Sequence, residues 1–302
     1  MKKYFFEEIL KCEMCGDDTA KHKVLGQRLN QSQGLSPKKK TGIAVSVQKC
    51  NRCNLIYAQP QPIPFDIQDH YGIPPEKYWA DGYVFKWIDS YLLTQTNTVK
   101  ELLPFKDGMT ALDVGAGLGK GMISLNHGGF DTYGFEPSIP FYERALSKMN
   151  IDPSRLKLGM IEDVDYPENM FDFITFDAVF EHLYHPAASL EKAMKWLKPN
   201  GIIHIEVPSS RHLIGKIINL YYKLRGTNYV TNISPMHSPF HLYEFDLKSF
   251  KALADKLGFT IEKYQYDVCA IEFVPKILHP VFRKYMELTN SGMQLTLYLR
   301  KK

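Results

Sequence analysis

Met109-Thr-Ala-Leu-Asp-Val114 runs straight into Gly115-Ala-Gly117-Leu-Gly119-Lys-Gly121 and on into Met122-Ile-Ser-Leu125. The pattern predicts a short buried strand, a glycine loop and the start of a helix, which together make a nucleotide-cofactor site. Glycines are needed there because the loop turns sharply and the ligand lies on the backbone, where a Cβ would collide. Spacing narrows the ligand. The dinucleotide pattern G-x-G-x-x-G fails, since its third glycine falls on Lys120 counted from Gly115 and on Met122 counted from Gly117. A phosphate-binding P-loop fails too, because Lys120 is followed by glycine rather than Ser or Thr.

Further segments follow in order. Thr132-Tyr-Gly-Phe135 ends in Glu136, about twenty residues past the first glycine, where an acceptor for ribose hydroxyls belongs. Next come Leu156 to Asp163, then Phe171-Asp172 to Asp177, Glu181-His182-Leu183, and Lys198-Pro199-Asn200-Gly201 before the apolar run Ile202 to Pro208. With Asp113-x-Gly115-x-Gly117-x-Gly119, these segments resemble the motifs of class I S-adenosylmethionine-dependent methyltransferases from about Leu102 to the C-terminus. The resemblance implies an α/β fold with a Rossmann-like seven-stranded sheet and S-adenosylmethionine as cofactor. It carries cofactor contacts to Asp113, Gly115, Ala116, Gly117, Gly119, Glu136, Pro137, Ile161, Glu162 and Asp177. Met160 stands where many relatives have an Asp for the adenine amino group, so that bond passes to Glu162 or Asp163, or is absent.

Four of the five cysteines form the pairs Cys12-x-x-Cys15 and Cys50-x-x-Cys53, a spacing that lets four thiolates reach one zinc ion. Four thiolates leave no open position for water or substrate, so the ion is expected to be structural. The long gap between the pairs is expected to loop out; Lys38–Lys40 reads as a solvated loop and His22 as a bystander. Between Gln59 and Trp87 five prolines alternate with Tyr71, Tyr78, Trp79, Tyr83 and Phe85, too proline-rich for a helix and too aromatic for a free linker. It is either a connector packed on the next domain or a lid whose aromatics line a pocket. The expected domains are residues 1–58 (zinc knuckle), 59–100 (connector and a helix from about Ile88 to Leu103) and 101–302 (methyltransferase, with an insertion at 209–243).

The zinc pairs, the tyrosine-rich stretch and the core together look like bacterial methyltransferases with an N-terminal zinc cluster, including sugar C-methyltransferases. That implies a small-molecule acceptor, a sugar or a biosynthetic intermediate. Formal net charge is only +4, mild beside the dense basic faces that hold nucleic acid, and charge alone names no partner; an RNA or protein methyltransferase gripping its substrate through the zinc domain is the alternative, and a non-catalytic cofactor-binding scaffold a third. The chain shows no signal-peptide pattern and no long apolar run, so it reads as cytoplasmic, a monomer or homodimer without a membrane partner.

Methyl transfer to a hydroxyl or carbon acid needs a base beside an in-line nucleophile. His241 is the leading candidate, with His182, His237 and Tyr243 in support. The insertion's helix pattern, Leu213 to Leu224, reads as part of a lid, or else a dimer or membrane-surface helix; the absence of a long basic face ranks the membrane role last. Phe250 to Gly258 reads as an amphipathic helix, Phe259-Thr-Ile-Glu262 and Gln294 to Leu299 as the final antiparallel strands, and Cys269 as a core thiol.

Overall fold

The structure, a computed structural model, describes residues 4–30, 43–78 and 84–302. Lys38–Lys40, Trp79 and Tyr83 lie outside the described residues.

The N-terminal part holds five short strands, β1 (Tyr4–Glu7), β2 (Lys23–Leu29), β3 (Ala44–Lys49), β4 (Ile56–Gln59) and β5 (Gln61–Pro64). Two short helices, α1 (Gln68–Tyr71) and α2 (Pro75–Tyr78), follow, and then α3 (Leu93–Leu102). The helix expected from Ile88 starts late, because Leu92 takes a left-handed backbone, φ 52°, a conformation that a helix interior excludes.

The C-terminal part alternates β6 (Thr110–Val114), α4 (Lys120–His127), β7 (Asp131–Glu136), α5 (Ile139–Met149), β8 (Leu156–Leu158), β9 (Phe171–Asp177), α6 (Pro186–Trp196) and β10 (Leu197–Pro208). Then come α7 (Leu213–Leu224), β11 (Tyr243–Glu244), α8 (Leu247–Leu257), β12 (Phe259–Asp267), α9 (His279–Leu288) and β13 (Gln294–Lys301). Local chemistry sets several boundaries. Ser138 caps α5 by accepting from Phe141 N–H, Asp246 and Ser249 form a reciprocal capping box on α8, and Gly258 ends α8 at φ 72°. The strand expected at Ile202 begins five residues earlier, and a register shift between Leu197 and Ile202 takes up Lys198 to Gly201.

Seven strands pair in the order β12-β13-β10-β9-β6-β7-β8, all parallel except β13, which runs antiparallel to both neighbours. This is the class I methyltransferase sheet. Buried parallel strands need apolar side chains on both faces, and Ala111, Leu112, Val114, Phe173, Ile174 and Phe176 supply them. The chain steps outward from β6 to β8 and then returns to β9 on the other side of β6, so the strand order reverses between β6 and β9. In open α/β sheets ligands bind at the carboxyl ends of strands beside such a reversal.

The expected boundary at 58 falls inside β4. β5 pairs with β1, and the sheet of β2, β3 and β4 gains its fourth strand, β11, from the far end of the insertion. Tyr243 pairs with Tyr57 and Glu244 with Ile56. Met14, Leu55 and Tyr57 share one apolar cluster with Leu242, Tyr243, Phe245 and Phe250, and Ser249 Oγ donates to the Cys53 carbonyl at 2.9 Å. Cys269 is exposed rather than in the core, because β12 has ended at Asp267. No helix among the described residues is long and apolar enough to cross a membrane.

Candidate active site

The glycine run leaves β6 and crosses the carboxyl end of the sheet. Gly115 has φ 66°, and a Cβ there would stand 2.8 Å from Val179 Cγ2. Gly121, inside α4, lies over the buried carboxylate of Asp113; a Cβ would collide with its Oδ2. Both positions exclude a side chain, one by backbone conformation and contact, the other by contact alone.

Glu136, at the end of β7, accepts from Gly117 N–H through Oε2 and from Ser138 N–H through Oε1, both at 2.8 Å. The carboxylate therefore fixes the loop and keeps one further lone pair on each oxygen. Burial pushes its pKa up to about 7 against the pull of these two bonds. Asp113 is raised well above the usual range by burial and by the charges of Asp177 and Glu136, and Asp177 is raised by burial while accepting from Tyr91 OH at 3.2 Å. Three carboxylates crowded at the strand ends favour a cationic ligand, which would relieve their repulsion.

These elements enclose a cavity of about 600 Å³. Of the residues expected to contact cofactor, Gly115, Ala116, Gly117, Glu136, Pro137, Ile161, Glu162 and Asp177 line it, as does Met160. Asp113 and Gly119 do not; Asp113 lies beneath the glycine run, and Gly119 starts α4 at φ 76° with Ile151 against it. Tyr71 and Tyr78 line the cavity from the proline-rich segment, favouring a lid over a mere connector. Tyr91, Lys120 and Ser138 also line it; no spacing rule marks them in the sequence.

A second cavity of about 560 Å³ lies beyond the end of β10 and shares Ala178 and His241 with the first. Arg28 from β2, Glu181, Glu206, His212, Glu244 and the α7 residues Ile214 and Ile218 line it. At the junction, Glu181 Oε1 stands 3.7 Å from His241 Nε2 and 3.9 Å from His182 Nε2. His182 holds its Nδ1 3.2 Å from the Phe240 carbonyl, which sets the proton on Nδ1 and leaves Nε2 as the acceptor. Burial pushes His182 down to about 4 and His241 to about 3, so both imidazoles are neutral near pH 7, and it pushes Glu181 up to about 8.

The other two candidate bases are elsewhere. Tyr243 is fully buried, its hydroxyl donating to the Tyr184 carbonyl at 3.0 Å beside Gln61, because pairing of β11 with β4 turns it into the core. His237 lines neither cavity; its Nε2 lies 3.4 Å from Arg28 Nη2.

The four cysteines come together as expected. Cys12 and Cys53 Sγ are 3.5 Å apart, and Cys15 and Cys50 Sγ 3.6 Å, close to the roughly 3.8 Å edge of a tetrahedron with Zn–S of about 2.3 Å. Each knuckle closes on a left-handed residue, Gly16 (φ 72°) and Asn54 (φ 64°), whose N–H returns to the carbonyl of Cys12 or Cys50. The donor set fits a closed zinc site. His22 packs beside it, Nδ1 2.7 Å from Tyr57 OH and Nε2 3.4 Å from Asp17.

Comparison with known proteins agrees with this geometry. The methyltransferase domain family profile matches residues 89–264, and the chain belongs to that family; its fold is that of the class I S-adenosylmethionine-dependent enzymes. An uncharacterised methyltransferase of Schizosaccharomyces pombe is 29% identical over 149 residues, 42% of this chain and 50% of that protein. Phosphoethanolamine N-methyltransferase 3 of Arabidopsis thaliana is 26% identical over 136 residues (43% and 26%). The ubiquinone biosynthesis O-methyltransferase of Bradyrhizobium diazoefficiens is 30% identical over 100 residues (32% and 38%). The chain spans half or less of the length of these curated relatives.

Proposed function

We propose that the chain transfers a methyl group from S-adenosylmethionine to a small-molecule acceptor, a sugar or another biosynthetic intermediate. The observation that carries this reading is the meeting of two cavities at His241, one built on the glycine loop and Glu136, the other on polar side chains. When bound, S-adenosylmethionine supplies an electrophilic methyl group. In this reading Glu136 accepts from ribose hydroxyls, Met160 and Ile161 face the adenine, and Asp177 and Glu162 offset positive charge. The relatives that act on nitrogen and on oxygen support a small acceptor without choosing its atom.

His241 takes the acceptor's proton in this reading. A neutral imidazole with its Nε2 toward Glu181 is a base whose conjugate acid gains a carboxylate partner once Glu181 ionises. Because Glu181 titrates near 8, the rate is expected to rise with pH through that value, and Glu181→Gln to flatten the rise. His182 sets the other side of the junction. The zinc site holds the N-terminal knuckle that carries β2 and Arg28 toward the second cavity.

Calorimetric titration with S-adenosylhomocysteine, with zinc measured on the same sample, tests the reading. Micromolar binding supports it and justifies labelled methyl transfer into small-molecule extracts and RNA; label entering RNA alone would replace the small acceptor. No binding by zinc-loaded protein overturns it.

A further inference from the structure

Two helices on the second cavity's side leave apolar faces uncovered. On α7, Ile217, Leu220, Tyr221 and Leu224 recur at helical spacing and are exposed, Leu220 by 57% and Leu224 by 78%. On α9 Val281, Tyr285 and Leu288 do the same, joined by Ile277 and Leu278 from the turn before it; Ile277 is 85% exposed and Leu288 76%. The helices belong to one surface unit, since Ile214, Ile218 and Tyr222 of α7 cluster with Val268, Ile271 and Met286. So many large apolar side chains on one unit mark a contact surface.

Charge selects the partner. Residues 207–243 hold Arg211, Lys216, Lys223 and Arg225 and no Asp or Glu, and residues 273–286 hold Lys276, Arg283 and Lys284 and again none. These seven cations exceed the whole chain's net charge of +4, so the rest of the protein is net negative. A second copy docked face to face would set cations against their own symmetry mates, with carboxylates only at the margins of the two runs, Glu206, Glu244, Glu272 and Glu287. An anionic lipid surface satisfies both the apolar stripes and the cations. The basic character expected of a membrane helix is absent from α7 alone because α9, distant in sequence, supplies the rest.

We propose that the α7–α9 face docks on an anionic bilayer. Ile214, Gly215 and Ile218 on one side and Ala270, Glu272 and Phe273 on the other line the second cavity, and Phe273 is itself exposed. The helices that dock therefore also wall this cavity, and on the methyltransferase reading its acceptor is drawn from the bilayer side.

The test is flotation of the full-length zinc-loaded protein with vesicles of phosphatidylcholine alone or phosphatidylcholine with phosphatidylglycerol. Binding is expected only with phosphatidylglycerol and is expected to fall with added salt. Lys223→Glu with Arg225→Glu should weaken it at least ~10-fold, and Leu220→Glu with Leu224→Glu and Val281→Glu comparably. S-adenosylhomocysteine titration of each variant reports folding and the cofactor site separately, so failure of the methyltransferase reading shows there and not in flotation. No phosphatidylglycerol-dependent binding by the wild type overturns the proposal, as does a wild-type dimer in light scattering that the same substitutions dissociate.

Discussion

Replacing Glu136 by Gln tests the cofactor site at its most connected group. The carboxylate accepts two backbone N–H bonds, from Gly117 and Ser138, each at 2.8 Å. A glutamine presents one carbonyl oxygen, so its NH₂ must face one of those N–H groups donor to donor, and one of the outer acceptor positions becomes a donor. The donor-to-donor contact costs the loop stability, and the bond lost to the ligand is the charge-assisted one at the outer position, worth about 1.5–3 kcal/mol, or roughly ten- to a hundredfold in Kd. Calorimetric titration with S-adenosylhomocysteine is the assay, with circular dichroism to show that the variant is folded. A folded variant whose Kd matches the wild type would refute both the ribose role and the argument that this carboxylate organises the loop.

Other outcomes follow from the same structure. Glu136 has a folded pKa of about 7 against an ordinary 4.5, so the folded ligand-free protein binds the extra proton and loses stability as pH rises between those values; Asp113 and Asp177 shift in the same direction. Thermal melts of ligand-free protein should therefore give a higher Tm near pH 5 than near pH 8 from these groups, and a cationic cofactor should flatten the slope relative to S-adenosylhomocysteine. Tyr243→Phe leaves the Tyr184 carbonyl without its donor and should cost about 1–3 kcal/mol of stability while leaving kcat unchanged; a lost kcat with an unchanged melt would return Tyr243 to the chemistry. Cys53→Ser should lower zinc from about one ion per chain toward zero and lower the Tm, read by metal analysis and melts on one preparation.

The sheet and the cofactor loop were legible because their signals are local. A strand running into Gly115, Gly117 and Gly119 needs no partner to be recognised, and Glu136 follows at the distance one crossover helix requires. The base was harder to find. His182, His237, His241 and Tyr243 look alike in sequence, and what separates them is pairing between segments far apart: β11 on β4 buries Tyr243, Arg28 draws His237 aside, and only His182 and His241 meet at Glu181. Glu181 itself stands out in the sequence only as part of the Glu181-His182-Leu183 segment. Tyr91 was illegible for the same reason, since its bond to Asp177 joins residues 86 positions apart. Cys269 misled because a thiol's burial depends on where the neighbouring strand stops.

Strand exchange between the two halves has a consequence for dissecting the protein. A fragment ending near residue 100 would carry Ile56-Tyr57-Ala58 as an unpaired, apolar sheet edge, a template for self-association. The complementary fragment would keep Tyr243 without the strand it pairs with, its sheet partner Tyr57 and the neighbouring Met14 and Leu55 gone from that side of the cluster. Neither half is then a candidate for separate expression, and swapping zinc knuckles between homologues would succeed only if the two-residue strand that reaches back from the insertion travels with them.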